Sequence, residues 1–266
     1  MSRASVSDVD LIESGSGTPL VLLHGIGGAA EAFNAQLSGL AGDHRVIAWD
    51  APGYGRSGDL PGEPDLDAYA DAVIAVLHGL DAEPAHLLGV SWGGVIATRV
   101  AIKAPEVLRS LVLADSSRGS GRTAEGRKAM AARVEELRTR GAGAFALARG
   151  PRLTAPSAEQ SVVDQVVALM SRVRMPGYGN AARVMAATDH SAQLPLVTTP
   201  TLVIVGAEDR VTGVAESRTL AEQIPDARLI EIPGAGHAAN QEKPALFNAA
   251  VRNFLAEVDT RGDVLC

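Results

Sequence analysis

Six stretches of this 266-residue chain are near-continuous runs of Val, Leu and Ile, and they constrain the fold more than any other feature. They are TPLVLLHG (18–25), HRVIAWD (44–50), AHLLGVS (85–91), SLVLADS (110–116), PTLVIVGAED (200–209) and ARLIEIPG (227–234). A strand with one wet face alternates apolar and polar residues, whereas a run that is apolar at nearly every position suits a strand covered on both faces. Such strands occur in parallel sheets, where crossover connections lay helices over both sides. The segments between the runs are long enough to hold those helices. The pattern therefore predicts an α/β fold with a doubly wound, mostly parallel sheet.

The remaining segments fit around that sheet. SVSDVDLIESGSG near the start predicts one or two edge strands closed by a Gly/Ser turn. A helix is expected from Asp67 to Leu80, behind Pro64 and Asp65, with Val73, Val76 and Leu77 on one face. The stretch after Ser91 is apolar all round and predicts a buried helix. Phe247, Ala250, Val251, Phe254, Leu255 and Val258 form a stripe at helical spacing, which is core packing. Between 118 and 194 the strand rhythm stops. Met130, Val134 and Leu137 share one helical face there, and Val163, Val167 and Met170 another. Gly141, Gly150-Pro151 and Pro176-Gly177 punctuate the interval. Its length beside the other crossovers predicts a helical cap at 118–194, inserted into a core made of 1–117 and 195–266.

Composition narrows the partners. A net charge of −7 argues against general affinity for nucleic-acid backbones. No apolar stretch reaches bilayer length, and the first residues lack the basic and apolar regions of a signal peptide. Cys266 is the single cysteine, which excludes an intramolecular disulfide and a Cys–His metal cluster. The expectation is a cytoplasmic protein acting on a small molecule, with no nucleic-acid or membrane partner, no metal and no cofactor.

Ligands of open parallel sheets bind beyond the C-terminal ends of the strands. Ser91, Asp209 and His237 each follow a predicted strand. Gly89-Val90-Ser91-Trp92-Gly93 fits G-x-S-x-G. The chemistry requires a sharp strand-to-helix turn with the serine at its apex, and neighbouring glycines avoid clashes there. The helix that follows points its amides at the hydroxyl. In a chain with 28 glycines a bare match is weak; the strand before it and the buried helix after it give it weight. His237, in GAGHAANQ, is the candidate base, because a neutral imidazole accepts a serine proton and returns it to a leaving group. Asp209 would fix its tautomer, with Glu208 and Asp115 as substitutes. The amides of Ile26 and Trp92 are the candidate oxyanion donors, Ile26 coming from the glycine loop His24-Gly25-Ile26-Gly27-Gly28. His24 itself reads as a structural residue that bonds loop backbone. Arg118, Arg174 and Tyr178, from the cap, are candidate substrate contacts, although many arginines in such a segment are solvated surface groups.

A competing reading uses the first sixty residues. Gly25-x-Gly27-x-x-Ala30 after a strand, with Asp50 at the end of the next strand, outlines a dinucleotide-binding fingerprint. That reading leaves Ser91, Asp209 and His237 unexplained.

LLHGIGG, DAPGYGRS (50–57), GVSWGG, TLVIVGAEDRV and GAGHAANQEKP together resemble the α/β-hydrolase fold superfamily, over nearly the whole chain outside the cap. The order Ser, Asp, His is that of the family. The resemblance implies a Ser–His–Asp triad, an acyl-enzyme and a 50–57 turn beneath the pocket. Length and the LVLADSS segment look like the enol-lactonases, meta-cleavage-product hydrolases and small carboxylesterases, although Trp92 stands where those groups commonly have Met. The serine separates the chain from the branches that use an Asp nucleophile. The expected reaction is hydrolysis of a small ester or lactone; C–C hydrolysis, lyase chemistry and small-molecule reception are the alternatives on the same fold.

Overall fold

In the central strands of this protein, successive residues face opposite sides of one sheet, and both sides are dry. The structure is a computed structural model that describes residues 1–263; Cys266 lies outside the described residues. Eight strands form the sheet: β1 (Ser2–Val6), β2 (Val9–Ser14), β3 (Pro19–Leu23), β4 (Arg45–Trp49), β5 (Ala85–Val90), β6 (Leu108–Ala114), β7 (Thr201–Gly206) and β8 (Arg228–Ile232). Their spatial order is β1-β2-β4-β3-β5-β6-β7-β8. β1 and β2 form an antiparallel hairpin at one edge, and every pairing from β4 to β8 is parallel. The predicted doubly wound, mostly parallel sheet is the observed one.

The near-continuous apolar runs follow from burial on two sides. Val21 and Leu23 of β3 face one core, while Leu20 and Leu22 face the other. The first core is closed by α2 (Leu66–Gly79), α3 (Trp92–Lys103) and α7 (Val214–Gln223). The second is closed by α1 (Asn34–Gly39) and α9 (Pro244–Asp263), whose Phe247, Val251, Phe254 and Leu255 are the predicted stripe. α2 starts where the sequence signals it: the Asp65 carboxylate accepts from the Ala68 amide at 3.0 Å, which satisfies one of the open amides of the first turn. Among the described residues no helix is long and apolar enough to cross a membrane.

Between β6 and β7 lie three helices, α4 (Ala124–Arg149), α5 (Gln160–Met170) and α6 (Gly177–Ala187). α4 breaks at Gly141, where φ is 75°, a conformation that costs glycine little and other residues much. Met130 and Leu137 of α4 are buried as expected. On α5 the buried stripe is Val166, Leu169 and Met170 rather than Val163, Val167 and Met170. Val166, Leu169 and Met170 line the cavity, while Val167 is half-buried against the core and beside Gly150. A short α8 (Ala239–Glu242) precedes α9.

Candidate active site

The cavity lies beyond the C-terminal ends of β3, β5, β7 and β8. Ser91 joins β5 directly to α3 and has φ 54° and ψ −115°. A β-carbon at Gly93 would collide with the backbone of Leu23 and His24, and one at Gly89 with the Gly93 backbone. The turn can therefore close only with glycine at both places. The Ser91 carbonyl accepts from the amides of Gly94 and Val95 and from the Ser116 hydroxyl at 2.9 Å. These bonds hold the backbone in its left-handed region and leave the hydroxyl facing the cavity.

A hydrogen-bonded chain runs back from that hydroxyl. His237 Nε2 accepts from Ser91 Oγ at 3.0 Å, and His237 Nδ1 donates to Asp209 Oδ2 at 3.0 Å. Asp209 also accepts from the Val211 amide at 2.7 Å and the Thr212 hydroxyl at 2.6 Å. Burial pushes its carboxyl upward, but the His237 hydrogen bond and charge, with Thr212 and Val211, outweigh that and hold it at about 2. Burial pushes the His237 imidazole downward, and the Asp209 hydrogen bond and charge override it, leaving His237 above its ordinary value. Glu242 positions the histidine loop: its carboxylate accepts from the Gly236 amide at 2.9 Å and the Ala155 amide at 2.8 Å. Of the substitute acids, Asp115 accepts from the amides of Gly206 and Ala239 instead of from His237. Burial leads the causes that raise its carboxyl to about 7.

Ile26, Ser91 and His237 line the cavity together. Trp92 is the first residue of α3, so its amide has no acceptor inside the helix. Among the described residues the Ile26 amide donates to no backbone acceptor. His24 is a spacer: Nδ1 donates to the Gly25 carbonyl at 2.8 Å, and Nε2 accepts from the Ala51 amide at 3.0 Å. Asp50, the acid of the dinucleotide fingerprint, accepts from the amides of Ala30 and Arg56 and so ties two loops together. The Trp92 ring is fully buried beneath the turn against Tyr69 and Tyr54, so the residue that departs from the usual Met contributes packing there.

Residues 20–250 match the model of the alpha/beta hydrolase family. The chain belongs to that family. Over 97% of its length this α/β hydrolase is 32% identical to a protein of Azorhizobium caulinodans provisionally named carbamate hydrolase RutD, all of which is covered. It is 29% identical to the (E)-2-((N-methylformamido)methylene)succinate hydrolase of Acinetobacter baylyi, covering 91% of this chain and 92% of that one. Among solved structures, a thermophilic esterase from Thermogutta terrifontis with malate bound superposes with a TM-score of 0.89 at 29% identity, over 97% of this chain and 99% of the other. The enol-lactonase of Burkholderia xenovorans LB400 shares the fold, with a TM-score of 0.87 at 24% identity over 96% of this chain and all of the other.

The predicted substrate contacts of this α/β hydrolase divide. Tyr178 lines the cavity, buried edge-on against Phe145. Arg118 does not: its amide, Nε and a terminal nitrogen all bond the Glu216 carboxylate, at 2.8–3.0 Å. Arg174 is likewise held by Asp59 and the Ser57 carbonyl. Both arginines are corrections, because each guanidinium is already held by acceptors of the chain and neither lines the cavity. The arginines that do line the cavity are Arg133 and Arg149. The signal for Arg133 was present: it is a charge set between Met130 and Leu137 on the apolar face of α4.

Proposed function

We propose that this protein is a serine hydrolase that cleaves small esters or lactones by acyl transfer through Ser91, His237 and Asp209. The observation that carries the reading is the unbroken hydrogen-bonded chain from Asp209 through His237 to a serine held at positive φ on the cavity wall. His237 removes the Ser91 proton as Oγ attacks the carbonyl carbon. The amides of Ile26 and Trp92 receive the oxyanion, and loss of either donor costs about 3 kcal/mol of transition-state stabilisation. His237 then protonates the leaving alcohol. Water, deprotonated by the same imidazole, attacks the acyl-enzyme and frees the acid and Ser91. Asp209 keeps the tautomer and stabilises the imidazolium.

In this reading the 118–194 helices act as the cap and set the substrate. The cavity holds about 90 Å³, which favours short acyl groups. The names of two relatives favour a second reading, attack on a carbonyl attached to nitrogen, as in a carbamate or an N-formyl compound. The same nucleophile and oxyanion site would serve it. A fluorophosphonate probe should label Ser91, and a panel of p-nitrophenyl esters, lactones, vinylogous diketones and carbamates should show which carbonyls turn over. Absence of labelling together with turnover that survives Ser91→Ala would end both readings.

A further inference from the structure

Two arginines in the roof of the cavity take no part in the proposed acyl transfer. Arg133 and Arg149 line the cavity beside Ser91 and His237. Both also line a wider basin of about 460 Å³, which shares Leu153 and Val211 with the cavity and adds Arg152 and Arg210. Four guanidiniums thus border one side of the site, in a chain whose net charge is −7.

These cations are poorly compensated. Among the described residues Arg133 pairs with no carboxylate, and its one polar contact is the Met130 sulfur at 3.9 Å. Arg149 has the Glu136 carboxylate at 3.8 Å, long for a charge-assisted bond, and Arg140 already holds that carboxylate at 2.7 Å. The Arg149 guanidinium lies over the Phe145 ring instead, at 5.5 Å. Other half-buried arginines of this protein are answered: Arg118 by Glu216, and Arg45 by Glu13. A desolvated cation beside a second cation is unfavourable unless an anion joins them. In keeping with this, burial and then Arg149 push the Arg133 guanidinium below its usual value, against the opposing effect of Tyr178. Paired guanidiniums offer forked donors whose geometry suits a carboxylate.

We propose that Arg133 and Arg149 form a subsite for a carboxylate carried by the substrate, with Arg152 and Arg210 gathering that anion at the mouth. The inference rests on the acyl transfer proposed at Ser91 and names its substrate class: a small ester or related acyl compound with a free carboxylate on the part that faces the cap.

Matched substrates test it. For p-nitrophenyl hydrogen glutarate against p-nitrophenyl pentanoate, the ratio of kcat/KM values should favour the charged ester. That ratio should fall roughly tenfold or more in Arg133→Met, the size of one charge-assisted hydrogen bond, and recover in part in Arg133→Lys. The same ratio in wild type, Arg133→Met and Arg149→Met overturns the subsite. Calorimetric titration of Ser91→Ala with glutarate and with glutaramide reads the subsite without chemistry. Binding of glutarate alone, weakening with salt, supports it; equal binding of both, or binding of neither, removes it. Esterase activity surviving in Ser91→Ala would instead sink the role of Ser91, and the titration would still decide the subsite.

Discussion

Two Ser–His–Asp groupings occur among the described residues, at opposite ends of the same strand. Beyond the C-terminal end of β5, Ser91 bonds His237, which bonds Asp209, both at 3.0 Å. Near the N-terminal end of β5, His86 bonds Ser110 at 2.8 Å and Asp259 at 3.1 Å. Lengths alone do not separate them; their surroundings do. Ser110 lies inside β6 with 0% exposure, whereas Ser91 has φ 54° and borders a cavity. Trp92 opens α3 immediately after Ser91, and the glycine loop 25–28 lines the same cavity. The partners of His86 are His44, with its ring 5.5 Å away, and the Arg109–Asp259 pair. Hydrogen-bond connectivity is thus common to both places. The strained turn, the open amides and the space for a carbonyl belong to one.

The sharpest way to break the comparison is to delete each serine. Ser91→Ala should lower kcat by roughly 10⁵–10⁶-fold, as when a serine nucleophile is removed elsewhere. Ser110→Ala should leave kcat unchanged and cost about 1 kcal/mol of stability for the lost hydrogen bond. Ester turnover together with urea unfolding measures both. A large fall in kcat for Ser110→Ala at unchanged stability would mean that the two groupings had been assigned the wrong way round.

The aspartates give a smaller contrast. Asp209→Asn should cost roughly 10⁴-fold in kcat, since an amide cannot hold the required tautomer or stabilise the imidazolium. Asp259→Asn touches no part of the cavity, so its effect should appear in thermal unfolding and not in turnover. Crystallography of Asp209→Asn should find the histidine ring in place; a displaced ring would make the loss one of geometry.

What the sequence reveals of these regions depends on how local the signal is. The strand-to-helix turn at Ser91 is legible because its glycines, strand and buried helix are adjacent in the chain. Asp209 and His237 are legible because each follows a strand that is recognisable by itself. Arg118 misleads for the opposite reason: its partner Glu216 is 98 residues away, so nothing nearby shows that the charge is taken. Arg133 and Arg149 stay hidden because the lining of the cavity depends on how α4, α5 and α6 pack together. The second grouping is invisible too, since Asp259 reaches His86 across 173 residues from a helix whose stripe reads only as core.

The two histidines should also oppose each other in pH dependence. His86 is fully buried, and burial, with His44 and Arg109 adding to it, outweighs Asp259 and lowers it to about 4. The unfolded chain then binds more protons than the folded one between about 4 and 6.5, so stability is lost as pH falls through that window. A shift of that size corresponds to the order of 3 kcal/mol in full. His237 has the other sign. Its folded value is raised by Asp209, so its contribution is complete below 6.5 and is lost as pH rises through the folded value. Activity runs opposite to that contribution, because the proposed base must be neutral: kcat/KM should fall with decreasing pH below the His237 value. Urea midpoints from pH 4 to 9, compared for wild type, His86→Gln and His237→Gln, separate the effects. His86→Gln should flatten the acid limb and keep the pH–rate profile, while His237→Gln should abolish turnover and leave the acid limb steep. An acid limb equally steep in all three proteins would show that His86 is not the group whose burial is being titrated.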